Sequence, residues 1–155
     1  MYSSSSGADV DMWFNPLLAG VLRSPLHSLL SRNTMLITVR GRKTGRPVKT
    51  PVNYLRFDGE LLMVSLRSRT WWRNLRGGAP VELLLAGARR KATATVFEAE
   101  ADVRRGLADM VSQSPALARL LGIGLDDTGS PRAPDLARAA QSRVIIRAQL
   151  ISGQA

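Results

Sequence analysis

Three cations stand within five residues in the stretch Gly41-Arg42-Lys43-Thr44-Gly45-Arg46-Pro47, and Arg40 and Lys49 flank it. Like charges this close repel one another, so folding alone gives no reason to gather them, whereas an incoming anion does. Arginine offers a planar fork to phosphate or carboxylate, and lysine a compact point charge. Gly41 and Gly45 let the backbone turn and let its N–H groups face a ligand. The chemistry these residues predict is the binding of a polyanion. The competing reading is a solvated hairpin tip whose charges serve solubility.

A second constellation follows. Ser65-Leu66-Arg67-Ser68-Arg69 leads into Thr70-Trp71-Trp72-Arg73-Asn74-Leu75-Arg76-Gly77-Gly78, where two adjacent tryptophans stand among four arginines. Neighbours on an α-helix point about 100° apart. The expectation is therefore that one ring packs inward and the other lines a cleft, with Asn74 as a polar handle. The alternative is that both rings plug the end of a barrel. Aromatic plates beside cationic forks suit a ligand that is planar at one end and anionic at the other. Single-stranded nucleic acid fits that description, and so does a flavin-like cofactor with a phosphorylated tail.

The elements that must position these residues are mostly strands. Apolar alternation and turn residues predict strands over 35–40, 48–57, 60–66, 81–85, 89–99 and 144–150, with Asp58-Gly59 as a tight turn. In the fifth strand Ala92, Ala94 and Val96 share one face, and Lys91, Thr93 and Thr95 the other. Helical spacing predicts an amphipathic helix from Phe14 to Ser31, with Asn15 as N-cap and Pro16 in its first turn, kinked or split at Pro25. Shorter helices are expected over 70–76, 100–112, 115–121 and 134–142, with a loop over 126–134. Strands joined by short turns, with helices at the ends, argue an α+β fold with an antiparallel sheet. Six such strands close into a small barrel that removes exposed edges. Residues 1–13 read as a flexible tail and 14–155 as one domain.

Composition narrows the chemistry. The 155 residues are 45 % hydrophobic, which suits one globular domain. The absence of cysteine removes disulfides, thiol nucleophiles and Cys-based metal sites. A single histidine, His27, argues against a zinc site and reads as a packing or surface residue on the first helix. No apolar run approaches the roughly 18 residues that cross a bilayer. The Ser-rich, then acidic, start is unlike a signal peptide, so a cytoplasmic protein is expected. Residues 35–91 carry thirteen Lys and Arg against Asp58, Glu60 and Glu82, which accounts for the entire net charge of +10. Charge focused this way points to an acidic partner: a cofactor, nucleic acid or an anionic membrane surface.

The ordered motifs resemble a known family. Residues 36–47, Thr50-Pro51-Val52, Asp58-Gly59 and Trp72-Arg73-Asn74-Leu75 are similar to the deazaflavin-dependent nitroreductase and quinone reductase family, from about Asn15 to Ala99 and more loosely in the last strand. The resemblance implies a split β-barrel of the flavin-reductase and FMN-binding kind. It also implies reduced coenzyme F-420, an 8-hydroxy-5-deazaflavin, as hydride donor to a small acceptor such as a quinone, nitro compound or enone. Carried over, Arg42, Lys43 and Arg46, within the Thr44-Gly45 turn, hold the phosphate and glutamates of the cofactor tail. Thr50, Pro51 and Val52 run along the ring system and offer backbone groups. Ser65, Trp72 and Asn74 sit beside it. Many members have a glycine pair between the third strand and the tryptophan; here Ser65 runs through Arg67 and Arg69 to Trp71 without one. The aromatic terminal segments that shape some nitroaromatic sites are not evident, so the substrate does not carry over. No catalytic residue is assigned; Tyr54 is the candidate proton donor, with packing as its alternative. The resemblance also implies a homodimer. Standing beside this reading are a flavin- or haem-binding barrel without such turnover, with FMN as the second cofactor candidate, a nucleic-acid-binding module, and peripheral membrane contact through the first helix and the basic turn.

Overall fold

The computed structural model describes residues 34–151. The expected tail, the first helix and His27 lie outside them. Six strands appear: β1 (Thr34–Arg40), β2 (Pro47–Phe57), β3 (Glu60–Leu66), β4 (Ala79–Leu85), β5 (Ala88–Phe97) and β6 (Arg143–Leu150). They close in the order β1-β2-β3-β6-β5-β4, with β4 returning to β1, and every neighbouring pair is antiparallel. This is the split β-barrel expected from the motifs.

Alternation decides which side chains fill the barrel. Ile37 and Val39 of β1, Val52 and Tyr54 of β2, Leu61 and Met63 of β3, and Val144 and Ile146 of β6 meet inside. Ala92, Ala94 and Ala148 are small enough to leave room for the larger residues there. Each large apolar side chain buried this way contributes roughly 1.5–3 kcal/mol. β3 is largely apolar on both faces, and β6 turns Ile145 outward, because a helical layer covers their outer side. Leu62 and Ile145 point outward into a second core with Val103, Leu107 and Met110 of α1 (Glu100–Gln113). α2 (Ala116–Leu121) and α3 (Ala133–Gln141) complete that layer.

Local chemistry sets the details. A Cβ at Gly106 would lie 2.6 Å from Ile145 Cγ1, so only glycine lets α1 approach β6 this closely. Arg147 of β6 donates to Asp109 of α1 at 3.2 Å across the same seam. Gly122 ends α2 in the left-handed conformation. The fourth strand begins at Ala79, earlier than its sequence pattern indicates, and includes Pro80. Proline is tolerated there because β4 pairs with β1 only at Glu82, Leu83 and Leu84, leaving Pro80 bonded toward β5 alone.

Candidate functional site

The antiparallel order brings the two singled-out segments to one end of the barrel. β1, β3 and β5 finish there, and β2, β4 and β6 begin there. Residues 41–46 join β1 to β2, and residues 67–78 join β3 to β4. Between them these connections carry Arg42, Lys43, Arg46, Arg67, Arg69, Arg73 and Arg76, and no acid.

The hairpin is built by its own polar groups. The Gly41 N–H donates to the Arg46 carbonyl at 2.8 Å, and the Gly45 N–H to the Gly41 carbonyl at 2.8 Å. Gly45 has φ +70, which glycine adopts without strain. Arg40 folds back so that its Nη1 donates to the Gly45 carbonyl at 3.0 Å. The Thr44 hydroxyl accepts from the Arg46 N–H at 3.2 Å, so its side chain is spent inside the turn. Arg42, Lys43 and Arg46 are exposed, and among the described residues no carboxylate pairs with them.

The hairpin is also tied to the second segment. Asn74 Oδ1 accepts the Arg42 backbone N–H at 2.9 Å, while Asn74 Nδ2 donates to the Trp71 carbonyl at 3.0 Å. Asn74 belongs to a short 3-10 helix, Trp71–Leu75. Contrary to the expectation of one ring inward and one in a cleft, both tryptophans are buried: Trp71 is 7 % exposed and Trp72 2 %. Both can be buried because each indole N–H finds a partner at the rim. Trp71 Nε1 donates to Ser65 Oγ and Trp72 Nε1 to the Leu66 carbonyl, each at 3.2 Å. With Leu75 they plug the barrel, and Ser65 is held as their anchor.

Above this plug the arginines have separate tasks. The guanidiniums of Arg73 and Arg76 stand over the Trp72 ring, 5.8 and 5.4 Å from its centre, a cation–π arrangement. Arg76 also makes a two-pronged ion pair with Glu98, at 2.8 and 2.9 Å. That hydrogen bond holds the Glu98 carboxyl below its ordinary value and raises Arg76 above its own. Arg67 donates to the backbone carbonyls of Glu98 and Arg143 and so ties β5 to β6. Glu98 carried no signal in the sequence, since its partner lies 22 residues away on another connection.

The feature that sequence reasoning missed is a gap between β2 and β3. Their ladder runs from Phe57↔Glu60 to Tyr54↔Met63 and stops. Continued, it would set Val52 opposite Ser65. Instead β2 from Pro47 to Asn53 pairs with β1 alone, and Val64 to Leu66 of β3 pair with β6 alone. Pro51, which has no N–H to donate, sits in the unpaired part. Thr50, Pro51 and Val52 thus form one lip of the gap and Ser65 the other, and the gap opens at the basic end. Thr50 is 6 % exposed and shares the inward face with Val52 and Tyr54, while Pro51 points outward opposite Leu36. What the three share toward the gap is backbone. Tyr54 is 7 % exposed within the barrel core, which is the packing role.

The sequence model of the F420H(2)-dependent quinone reductase family matches residues 24–120, well over half of the chain. The chain belongs to this family. As an F420H(2)-dependent quinone reductase family member it is an oxidoreductase whose cofactor is coenzyme F-420. The haem storage protein HutZ from Vibrio cholerae has a similar structure, with a TM-score of 0.50 and 14 % identity over 79 % of this chain and 84 % of its own; the likeness is one of fold. A conserved hypothetical protein from Mycobacterium tuberculosis gives 0.48 and 17 %, over 77 % of this chain and 75 % of its own. An F420-H2 dependent reductase gives 0.47 and 20 %, over 75 % and 94 %. No curated protein matches the chain. The residues fit the family's cofactor: seven cations without an acid in the two connections suit its anionic tail.

Proposed function

We propose that this reductase passes a hydride from reduced coenzyme F-420 to a quinone or a similar small acceptor, such as a nitro compound or an enone, at the gap between β2 and β3. The observation that carries the reading is that the interrupted β2–β3 ladder opens beside the basic connections. When bound, the reduced cofactor supplies the hydride. The protein's own residues bind, orient and exclude water. Arg42, Lys43 and Arg46 hold the phosphate and carboxylates of the tail, and the Thr44-Gly45 turn keeps their backbone in register. Thr50, Pro51 and Val52 offer their unpaired backbone edge to the ring system. Ser65 stands on the opposite lip, Asn74 holds the hairpin beside it, and the plug that contains Trp72 is the dry floor. No described helix is long and apolar enough to cross a membrane; a cytoplasmic protein that meets membrane-soluble quinones at the bilayer surface suits this acceptor class. Leu36 and Leu84 are adjacent and exposed on the outer face of the barrel, an apolar pair that suits a homodimer contact.

Titrating the purified protein with coenzyme F-420 and following cofactor fluorescence tests the reading. A charge-assisted hydrogen bond contributes roughly 1.5–3 kcal/mol, and exposure pulls this toward the lower end. Lys43→Ala is therefore expected to weaken binding about tenfold at low salt. Rising salt narrows the difference. Equal affinities for the two proteins at low salt would remove the hairpin from the site. Tighter, salt-sensitive binding of an oligonucleotide, with the cofactor ignored, would turn the reading to nucleic acid.

A further inference from the structure

We infer that Asn74 is a positioning residue: it fixes the basic hairpin to the tryptophan plug and sets the hairpin's anion affinity without touching the anion. This rests on the proposed role of the hairpin. Three observations support it. Both ends of the Asn74 carboxamide are already engaged, Oδ1 with the Arg42 N–H and Nδ2 with the Trp71 carbonyl. Among the described residues, the Arg42–Asn74 bond is the one hydrogen bond that joins residues 42–46 to anything beyond β1 and the turn itself. The other side of the tether is rigid, because Trp71, Trp72 and Leu75 are buried and both indole N–H groups are bonded at the rim of β3.

The physical need for such a tether follows from the charge. Arg42, Lys43 and Arg46 repel one another and have no carboxylate partner among the described residues, so the free hairpin spreads. Spreading costs affinity, because a bound anion must first gather the cations again. A neutral carboxamide answers this better than a carboxylate would. It meets an N–H and a C=O at once, and it adds no negative charge where an anion is to bind. Arg42 thereby has two roles: its backbone is held by the plug while its side chain stays free for the ligand.

A double-mutant cycle separates this from direct contact. In the otherwise native protein, Asn74→Ala is expected to weaken coenzyme F-420 binding about fivefold, the scale of one lost neutral hydrogen bond. In a background where Arg42, Lys43 and Arg46 are all alanine, the same change is expected to have no further effect. An equal fivefold loss in both backgrounds would mean that Asn74 touches the cofactor itself; the inference then falls and the proposed function stands. A stripped hairpin that binds like the native protein would overturn both. Asn74→Asp keeps the acceptor for the Arg42 N–H and serves if the alanine variant does not fold. It gives up the donor to the Trp71 carbonyl, so a partial loss of affinity is expected in 0.5 M salt, where its added charge is screened to about 4 Å. That loss is expected to vanish in the stripped-hairpin background, and an equal loss in both backgrounds would overturn the tether.

Discussion

The two ends of the barrel are made from the same six strands and differ in what joins them. At one end, Asp58-Gly59 and Ala86-Gly87 connect their strands in two residues each, all at positive φ, with ladders paired up to the turn. At the other, residues 41–46 and 67–78 carry seven cations, a tryptophan plug and an interrupted ladder. At the first end both turns are as short as a hairpin allows, and the strands they join are paired right up to them. The second spends residues, tolerates like-charge repulsion and leaves strand edges open. An end built for stability alone would resemble the first, so the second is where ligand chemistry is supported.

The largest expected effect tests whether the basic end is a lid on the core or an ornament. Trp72→Ala removes a ring that is 2 % exposed and on which two guanidiniums rest. A loss of about 3–5 kcal/mol is expected, read from the urea midpoint. A loss below about 1 kcal/mol would mean that the plug is dispensable and the two ends are alike in the core. Next in size is a paired charge removal. Lys43→Ala at the open end is expected to weaken cofactor binding about tenfold while stability holds. Arg89→Ala, at the start of β5 and the closed end, removes the same charge and is expected to change affinity by less than about twofold, because screening limits it to a distant field. Similar losses for both would reduce the basic end to a contribution of net charge.

Much of this contrast was legible in the sequence, and the illegible part has a physical cause. Strands announced themselves through alternation, as in Ala92, Ala94 and Val96, and the hairpin through clustered cations between glycines. The burial of both tryptophans had no sequence signal, because the rim acceptors for their indole N–H groups belong to the end of the preceding strand and are set by the fold. The interrupted β2–β3 ladder is a matter of which strand pairs with which, and Pro51 alone could not reveal it. The Asn74–Arg42 bond spans 32 residues and has no local signature.

A smaller effect concerns Glu98, the acid that meets the arginines of the basic end through Arg76. Its carboxyl is held below the ordinary value chiefly by the Arg76 hydrogen bond. The pair is therefore fully formed above the ordinary glutamate value, and its contribution is lost as pH falls through the lower folded value. Glu98→Gln is expected to flatten stability in that acid window. By releasing Arg76, it is also expected to tighten cofactor binding by up to about twofold at low salt. Weaker binding would show that the ion pair positions Arg76 and does not compete with the ligand.

The smallest expected effect lies at the closed end, and it asks whether that end is already optimal. Ala86 adopts φ +51, a conformation that places Cβ too near the following carbonyl oxygen and costs an L-residue roughly 1–2 kcal/mol. Its neighbour Gly87, at φ +81, bears no such cost. Two residues at positive φ between paired strands make the turn whose favoured sequences are Asn-Gly and Asp-Gly, and the other closed-end turn is Asp58-Gly59. Ala86→Asn brings the second turn to the same chemistry, since asparagine tolerates the left-handed region. A gain of about 0.5–1 kcal/mol is expected in chemical denaturation, with cofactor affinity unchanged. A change in affinity would mean that the closed end communicates with the open one through the strands. A loss of stability would mean that Ala86 is held there by packing, and that the closed end too has given up local preference for something else.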